Sequence, residues 1–245
     1  MGQRAVRNCE AADLGRCEKC AIRRLGLCNS LTRDELLQIR QIAHRRVYGP
    51  GEQILVDQEE APFFAAIYSG AVKLSKILFD GREQVVGLML APDCLGRVFG
   101  EPSPYFAEAT TKVELCCFPR AGFQKMLEDY PGLKQRLLEQ TINELDSARD
   151  WMVLLGRKSA EERVASLMLM LALRLDRTRQ EVRKADCPII LDLYLKRHEV
   201  GDFLGLTYET VCRQIRSLCE KGLISQSGRR QFAVPSLEAL ARAAG

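Results

Sequence analysis

The sequence lacks the features that mark membrane, secreted and catalytic proteins. Its 245 residues contain no run close to the ~18 apolar residues that a bilayer requires, and its first residues lack the apolar core of a secretory signal. We therefore expect no membrane association and a cytoplasmic location. A glycine-rich nucleotide loop, carboxylates paired in a catalytic context and a Ser/His/Asp set are also missing, which argues against an enzyme.

Histidine is scarce and the net charge is small. With only His44 and His198 present, a zinc site built from both cysteine and histidine has little material to draw on. A formal net charge of +4 permits nucleic-acid binding without requiring it, so the location of the positive charge matters more than its sum. Cysteine, by contrast, is abundant at 10 residues, and clustered thiols in a reducing compartment indicate metal or redox chemistry before disulfides.

The chain divides into four segments of different character. Residues 1–30 are Cys-rich and poor in large apolar side chains, and residues 31–120 carry one helix followed by short β-rich runs. Residues 121–157 are helical, and residues 158–245 read as helix, strand, helix, turn, helix and a final hairpin. This order predicts an α+β chain with a β-domain, a connecting helix and a small C-terminal domain.

Local signals support the β-domain. Thr32 and Glu35 form a capping box in front of an apolar helical face. The β-rich runs that follow are separated by turn residues, and Asp80-Gly81 between two apolar runs is a strong hairpin signal. Several short strands at this spacing predict a small antiparallel barrel.

The helix after Pro131 carries a narrow apolar seam at close to heptad spacing. Packing on the chain's own barrel is one explanation. A seam on a long helix that joins two domains more often pairs with a copy of itself, so we expect a homodimer. The residues assigned to the dimer interface are Leu137, Thr141, Leu145, Ala148 and Met152.

Residues 196–224 predict two short helices joined at Gly205, which is the helix-turn-helix arrangement. Thr207 caps the second helix, and an Arg and a Glu near its start suit guanine and cytosine edges in the major groove. An ordinary pair of packed helices with solvated charges is the alternative. The residues assigned to DNA contact are Thr207, Glu209, Thr210, Cys212, Arg213 and Arg216.

The stretch VGDFLGLTYETVCRQIRSLCEKGLI resembles the signature of the CRP/FNR superfamily of bacterial regulators, G-x-x-L-G-L-T-x-E-T-[VI]-S-R followed by a polar helix. The resemblance runs from about residue 20 to 240 and includes A-E-E-R at residues 160–163. It implies a β-roll of the cyclic-nucleotide-binding, double-stranded jelly-roll type, a dimerisation helix and a winged helix-turn-helix. The chain departs from the signature at Cys212, where the family has serine, and this puts that serine's contact in doubt.

The resemblance also implies partners. They are a double-stranded palindromic operator with TTGAT-like half-sites, and RNA polymerase, for which residues 79–82 form a suitable loop. Cyclic-nucleotide binders of the family hold the phosphate with an Arg-Ser pair, whereas this chain has Tyr105 and Phe106 just before Ala107. A buried phosphate would lack charge compensation there, so we expect no cyclic nucleotide.

The N-terminal cysteines are the candidate sensor. Cys17, Cys20 and Cys28 are separated by two and seven residues, and three such thiolates can bind one face of a [4Fe–4S] cluster. The sequence resembles the FNR/FixK-type oxygen-sensor branch, whose fourth ligand lies late in the β-roll, where Cys116 stands three residues before Pro119. The resemblance implies a [4Fe–4S] cluster on these four cysteines and DNA binding when it is intact.

The other cysteines leave alternatives open. Cys9 is the main rival for a ligand position, and Cys117, next to the expected ligand on a strand, should point to the opposite face. Cys94, Cys187 and Cys219 are expected to be structural. A regulator that responds to zinc or to thiol oxidation without iron is the second hypothesis, and an iron–sulfur redox enzyme or electron carrier is the third.

Overall fold

The computed structural model describes Cys17, Cys20 and residues 23–179 and 188–245, with the side chains of residues 177–179 left out. The chain forms two compact units, which meet in sequence between Leu145 and Asp146. No helix in the described ranges is both long enough and apolar enough to cross a membrane.

The first unit contains an antiparallel β-roll made of two four-stranded sheets, ordered β1-β8-β3-β6 and β2-β7-β4-β5. Apolar side chains from both sheets form a core inside the roll, with Ile67, Val72 and Leu115 fully buried. The predicted hairpin is present, with Gly81 at φ +85° between β4 and β5. The strands are β1 (His44–Tyr48), β2 (Gln53–Leu55), β3 (Phe63–Ser69), β4 (Ala71–Ile77), β5 (Glu83–Leu90), β6 (Cys94–Leu95), β7 (Phe106–Ala109) and β8 (Val113–Pro119).

Helices cover the outer face of one sheet. α1 (Arg33–Ile42) begins at the predicted capping box, in which the Thr32 N–H donates to Glu35 Oε2 at 2.7 Å. A short 3₁₀ helix (Leu27–Ser30) precedes it, and α2 (Arg120–Asp129) follows β8 directly. Phe123 of α2 stacks on Phe64 of β3 with ring centroids 4.5 Å apart. A second core therefore lies outside the roll.

The segment expected to be one dimerisation helix, residues 121–157, is two helices. α2 ends at Asp129, and α3 spans Pro131–Arg157. The reason is Pro131, which has no N–H to donate and keeps Tyr130 extended, at φ −121° and ψ 92°. Pro131 is then well placed as the first residue of the new helix.

The second unit is a three-stranded sheet with four helices around it. α4 (Ala160–Arg179) starts at a capping box, where the Ser159 N–H donates to Glu162 Oε2 at 2.7 Å. Arg163 donates to the carbonyls of Leu155 and Leu204 at 2.7 and 3.0 Å, which ties the end of α3 to the helix-turn-helix. The remaining elements are β9 (Ile189–Asp192), α5 (Arg197–Leu204), α6 (Tyr208–Glu220), β10 (Ser225–Gln226), β11 (Gln231–Val234) and α7 (Leu237–Ala244).

The turn between α5 and α6 depends on two glycines. Gly205 ends α5 at φ 63° and ψ 43°, a left-handed conformation that glycine adopts without strain. The Leu206 N–H then donates to the Gly201 carbonyl at 3.0 Å, so the turn folds directly over Gly201. A Cβ at Gly201 would lie 2.5 Å from the Leu206 carbonyl oxygen.

We expect Gly201→Ala to destabilise the second unit by about 1–3 kcal/mol, because the added methyl group forces the turn away from α5. Gly156→Ala is the matched control, since a Cβ there meets nothing within 4 Å and alanine is the better helix former. Thermal unfolding followed by circular dichroism measures both. Equal melting temperatures for the two variants would show that the close approach at Gly201 has no structural importance.

Candidate metal centre and nucleic-acid interface

The four cysteines assigned as ligands line a single cavity of about 80 Å³ in the first unit. The cavity lies between the Cys-rich segment, α1 and the outer face of the β1-β8-β3 sheet. Apolar side chains, including Leu36, Ile39 and Phe123, form much of its wall. Its other lining residues include three arginines, Arg23, Arg40 and Arg45.

Backbone hydrogen bonds position Cys17, Cys20 and Cys28, and strand β8 positions Cys116. The Cys20 N–H donates to the Cys17 carbonyl at 3.4 Å, and the Leu31 N–H donates to the Cys28 carbonyl at 3.3 Å. Cys116 comes from β8, where it pairs with Arg45 on β1 and Ala66 on β3. The sheet therefore brings Cys116 next to three thiols that lie about ninety residues earlier in the chain.

Cys116 and Cys117 face opposite sides of the sheet, as the strand alternation predicts. Cys117 is 2% exposed and belongs to the core inside the roll, whereas Cys116 packs against the outer core. Adjacent cysteines thus have different environments, and only Cys116 reaches the cavity.

The cavity does not favour bare thiolates. Burial raises the pKa of the Cys28 thiol to about 12, and the negative charges of Cys17 and Cys20 add to this rise while Arg23 opposes it. Burial likewise raises the pKa of Cys116, and the negative charges of Cys28, Cys117, Cys17 and Cys20 raise it further. Without a bound cationic centre, these two thiols are neutral at physiological pH. Within the described part of the chain, no three Cys, His, Asp or Glu side chains form a ready site for a single metal ion.

Cys94 also lies close to this site, which sequence reasoning missed. Its Sγ donates to Gln140 Oε1 at 3.8 Å, and the pKa of its thiol is raised by burial and then by Asp93 and Cys28. Its position in β6 next to β3 is a tertiary feature, which neither its spacing nor its flanking residues indicate. Cys9 and Cys187 lie outside the described residues.

The Cys-rich segment contacts the beginning of α3. Arg136 Nη2 donates to the carbonyl of Leu25, which lies between Cys20 and Cys28, at 3.1 Å. Leu27 and Leu133 are buried in the same outer core. The segment that would hold a metal group is therefore attached directly to the first turns of the long helix.

The middle of α3 is exposed. Residues 141–150 are all solvent-exposed, which includes Thr141, Leu145 and Ala148 of the assigned seam, and Met152 is 72% exposed. Leu137 is partly buried against the outer core instead. Sequence reasoning missed Leu138 and Ile142, which are 60% and 49% exposed. Their spacing to Leu145 of seven and three residues was the signal for an alternative apolar seam.

The residues assigned to DNA contact run from Thr207 to Arg216, at the N-cap of α6 and along the helix. Thr207 caps α6 by accepting from the Thr210 N–H at 3.3 Å, and Arg213 Nη2 donates to Thr210 Oγ1 at 3.4 Å. Glu209 and Arg216 are exposed. The opposite face of α6 is buried through Val211, Ile215 and Leu218.

Cys212 is half-buried and lies beside Arg197, which sequence reasoning missed. These two residues line a cavity next to α6 together with Arg216 and Cys219. A hydrogen bond with Cys212 raises the pKa of the Tyr208 hydroxyl. Arg197 lies over the Phe232 ring, and its buried Nη1 has no hydrogen-bond partner among the described residues. Its place at the first position of α5 aims it toward the reading helix.

The position expected to reject a cyclic nucleotide lies at the start of β7. Tyr105 is partly buried against the core of the roll, and its backbone carbonyl accepts from Ser103 Oγ at 2.6 Å. Phe106 begins the strand and pairs with Ser75.

The chain matches known proteins over both units. Residues 162–243 match the Crp-like helix-turn-helix domain and residues 45–130 match the cyclic nucleotide-binding domain. It is 39% identical to the transcriptional activator protein FnrL of Cereibacter sphaeroides, over 95% of this chain and 93% of the relative. It is 28% identical to the fumarate and nitrate reduction regulatory protein of Escherichia coli K12, over 94% of this chain and 90% of the relative.

A solved structure extends the comparison. FixK2 from Bradyrhizobium japonicum matches with a TM-score of 0.72 and 30% identity, over 83% of this chain and 98% of that structure. The β-roll, long helix and winged helix-turn-helix expected from the sequence are therefore confirmed.

The raised pKa of Cys28 predicts slow alkylation in the metal-free protein. At pH 9 a thiol with the ordinary pKa of 9.0 is half ionised, whereas a pKa of about 12 leaves roughly one thiol in a thousand as thiolate. We expect iodoacetamide to label the Cys28 peptide at least about a hundredfold more slowly in folded than in urea-unfolded protein. Peptide mass spectrometry over time measures this. Equal rates in the two states would mean that Cys28 is not buried as described.

Proposed function

Because this chain belongs to the CRP/FNR family of transcription regulators, we propose that it is an oxygen-responsive activator that binds DNA as a homodimer when a [4Fe–4S] cluster occupies its four-cysteine site. The chain is a DNA-binding transcription regulator of the FNR/FixK type and not an enzyme. The proposal adds a [4Fe–4S] cluster as the sensor, oxygen as the signal and a homodimer as the assembly. A regulator that acts on an operator acts in the cytoplasm, and this location is part of the proposal.

One observation supports the sensor: Cys17, Cys20 and Cys28 line the same cavity as Cys116, which lies about ninety residues later in the chain. The wall fits a cluster because it combines four thiols with apolar side chains and arginines that offset negative charge. The raised thiol pKa values also fit, since a cationic core is what allows buried thiols to deprotonate.

Zinc on the same four cysteines is the competing candidate. A tetrahedral zinc ion holds its sulfurs ~2.3 Å away and so ~3.8 Å from one another. In a [4Fe–4S] cluster each cysteine binds a different iron, which spaces the sulfurs further apart. The same four cysteines are the ligands in either case, so iron, sulfide and zinc analysis of the purified protein distinguishes the two groups.

The contacts between the Cys-rich segment and α3 connect the proposed cluster site to the proposed dimer interface. When bound, the cluster supplies an oxygen-labile link among the four cysteines. With the link in place, the Cys-rich segment presents the Leu25 carbonyl to Arg136 and Leu27 to the outer core. Once the link is lost, these contacts lose their support, and the first turns of α3 are no longer held in one orientation. The exposed seam of α3, with Leu138, Ile142 and Leu145, then pairs less well with a second copy.

The second unit performs the DNA reading. Arg213 is placed to donate to guanine and Glu209 to accept from cytosine, because both are exposed in the first half of α6. Exposed Arg229 and Arg230 in the wing are placed to contact phosphates. Two such units in a homodimer match a palindromic operator with TTGAT-like half-sites.

Two further parts of the proposal concern partners. The β4–β5 turn exposes Phe79 completely, which supports a contact with RNA polymerase at that loop. We also propose that no cyclic nucleotide acts as effector, because Tyr105 and Phe106 stand where the Arg-Ser pair would be and bring no cation to balance a buried phosphate.

The sensor proposal predicts that anaerobically purified protein is coloured and contains about four iron and four sulfide per chain. It should protect a palindromic operator, and exposure to air should remove the absorbance, the protection and part of the dimer together. Cys116→Ser should abolish the iron, whereas Cys219→Ser, a half-buried thiol of the second unit, should leave it unchanged. Absorbance, iron and sulfide analysis, footprinting and sedimentation measure these quantities. Colourless protein with one zinc and unaltered footprinting would support the zinc hypothesis.

For DNA reading, Arg213→Ala should weaken binding to the cognate operator by about 1–3 kcal/mol, a loss of roughly tenfold to a hundredfold. It should also relax the preference at one base pair of each half-site. Arg229→Ala is the control, because loss of a phosphate contact weakens binding to all sequences similarly and lowers the salt slope by roughly one. Competition binding against single-base operator variants separates the two. Uniform weakening by both variants would exclude base reading by Arg213.

A further inference from the structure

Arg45 occupies a distinctive position at the four-cysteine site. It lies on β1 directly opposite Cys116 on β8, and cross-strand partners point to the same face of a sheet with Cβ atoms ~4.5–5.5 Å apart. Both residues line the cavity. Arg45 therefore brings a positive charge to the one ligand that joins the site to the β-roll.

The guanidinium of Arg45 is held in place by two contacts. Its Nη1 lies 3.1 Å from Glu114 Oε2, two residues before Cys116 on the same strand. Its Cζ lies 4.1 Å from the centroid of the Tyr68 ring on β3. A charge fixed by an ion pair and an aromatic face needs little reorganisation when a charged group binds nearby.

The site needs such a charge. Four thiolates bring four negative charges into a cavity with largely apolar walls, and a metal group that leaves net negative charge must be balanced by its surroundings. Arg23 and Arg40 also line the cavity, from the Cys-rich segment and from α1. Arg45 alone among the three belongs to the sheet, and it pairs with a ligand.

We infer that Arg45 is a positioning residue that balances the charge of the four-cysteine site and thereby sets its metal affinity and the reduction potential of the bound group. This inference rests on the proposed function, because it assigns a role toward the cluster proposed there. It concerns residues of this chain outside the four ligands.

The neighbouring Arg46 provides a matched control. It follows Arg45 on β1 and points to the other face of the sheet, where its Cζ lies 4.7 Å from the centroid of the Phe63 ring. It does not line the cavity. Arg45→Gln and Arg46→Gln therefore remove the same charge from adjacent residues, on opposite sides of one strand.

The first test is the reduction potential of the reconstituted cluster under anaerobic conditions. We expect Arg45→Gln to lower the midpoint potential, because loss of a nearby positive charge makes addition of an electron less favourable. Arg46→Gln should shift it much less, and Arg45→Lys should restore most of the wild-type value because it keeps the charge. Equal shifts in the two glutamine variants would overturn the inference, as would a failure of Arg45→Lys to recover.

The second test needs no iron. Co²⁺ is titrated into metal-free, reduced protein at one fixed pH and followed by the thiolate-to-metal absorbance. We expect Arg45→Gln to weaken Co²⁺ binding roughly tenfold, with Arg46→Gln and Arg45→Lys close to wild type. If the protein takes up no cluster, the sensor proposal fails while the Co²⁺ comparison still decides the role of Arg45. Wild-type protein that binds neither iron nor Co²⁺ would overturn both.

Discussion

A thiol buried among apolar side chains stays protonated unless a positive charge lies close to it. The four-cysteine site of the first unit depends on this constraint. Burial raises the pKa values of the Cys28 and Cys116 thiols, and the negative charges of nearby thiolates add to this rise. A bound cationic centre would oppose both effects, so under the proposed function we expect occupancy of the site to be coupled to the conformation of the residues that line it. The outer core, with Leu27 and Leu133, offers a route for that coupling because it is shared by the Cys-rich segment and α3.

The two units obtain their order from different sources. The turn of the helix-turn-helix is specified locally by the left-handed Gly205 and the Thr207 cap, and Arg163 adds a long-range hydrogen bond to the Leu204 carbonyl. The four-cysteine site is specified by tertiary contacts, since Cys116 reaches it only through the pairing of β8 with β1 and β3. The turn therefore follows from residues that are adjacent in sequence, whereas the four-cysteine site does not.

This difference explains what the sequence predicted. Features set within a few residues were predicted correctly, such as the Thr32 capping box, the Asp80-Gly81 hairpin and the Thr207 cap of α6. The candidate ligands were named from spacing and from family resemblance, and the structure brings all four to one cavity. Arg45, Arg136 and Cys94 were missed because their roles depend on partners far away in sequence, and no local pattern marks them.

The apolar seam of α3 depends on tertiary packing as well as on periodicity. Heptad spacing assigned Leu137 and Thr141 to the dimer interface, which stays a prediction. In the structure the outer core takes part of the surface of Leu137, while Leu138 and Ile142 are exposed. The anchoring of the first turns thus decides which stripe of the helix is presented, because each residue turns the helix by ~100°. Residues 141–150 are exposed, and the proposed homodimer would cover Ile142 and Leu145 with the same stripe of a second copy. Under that proposal, the Arg136 anchor lies on the same helix about one turn before the stripe, so a rotation of the first turns would change which side chains the helix presents to the second copy.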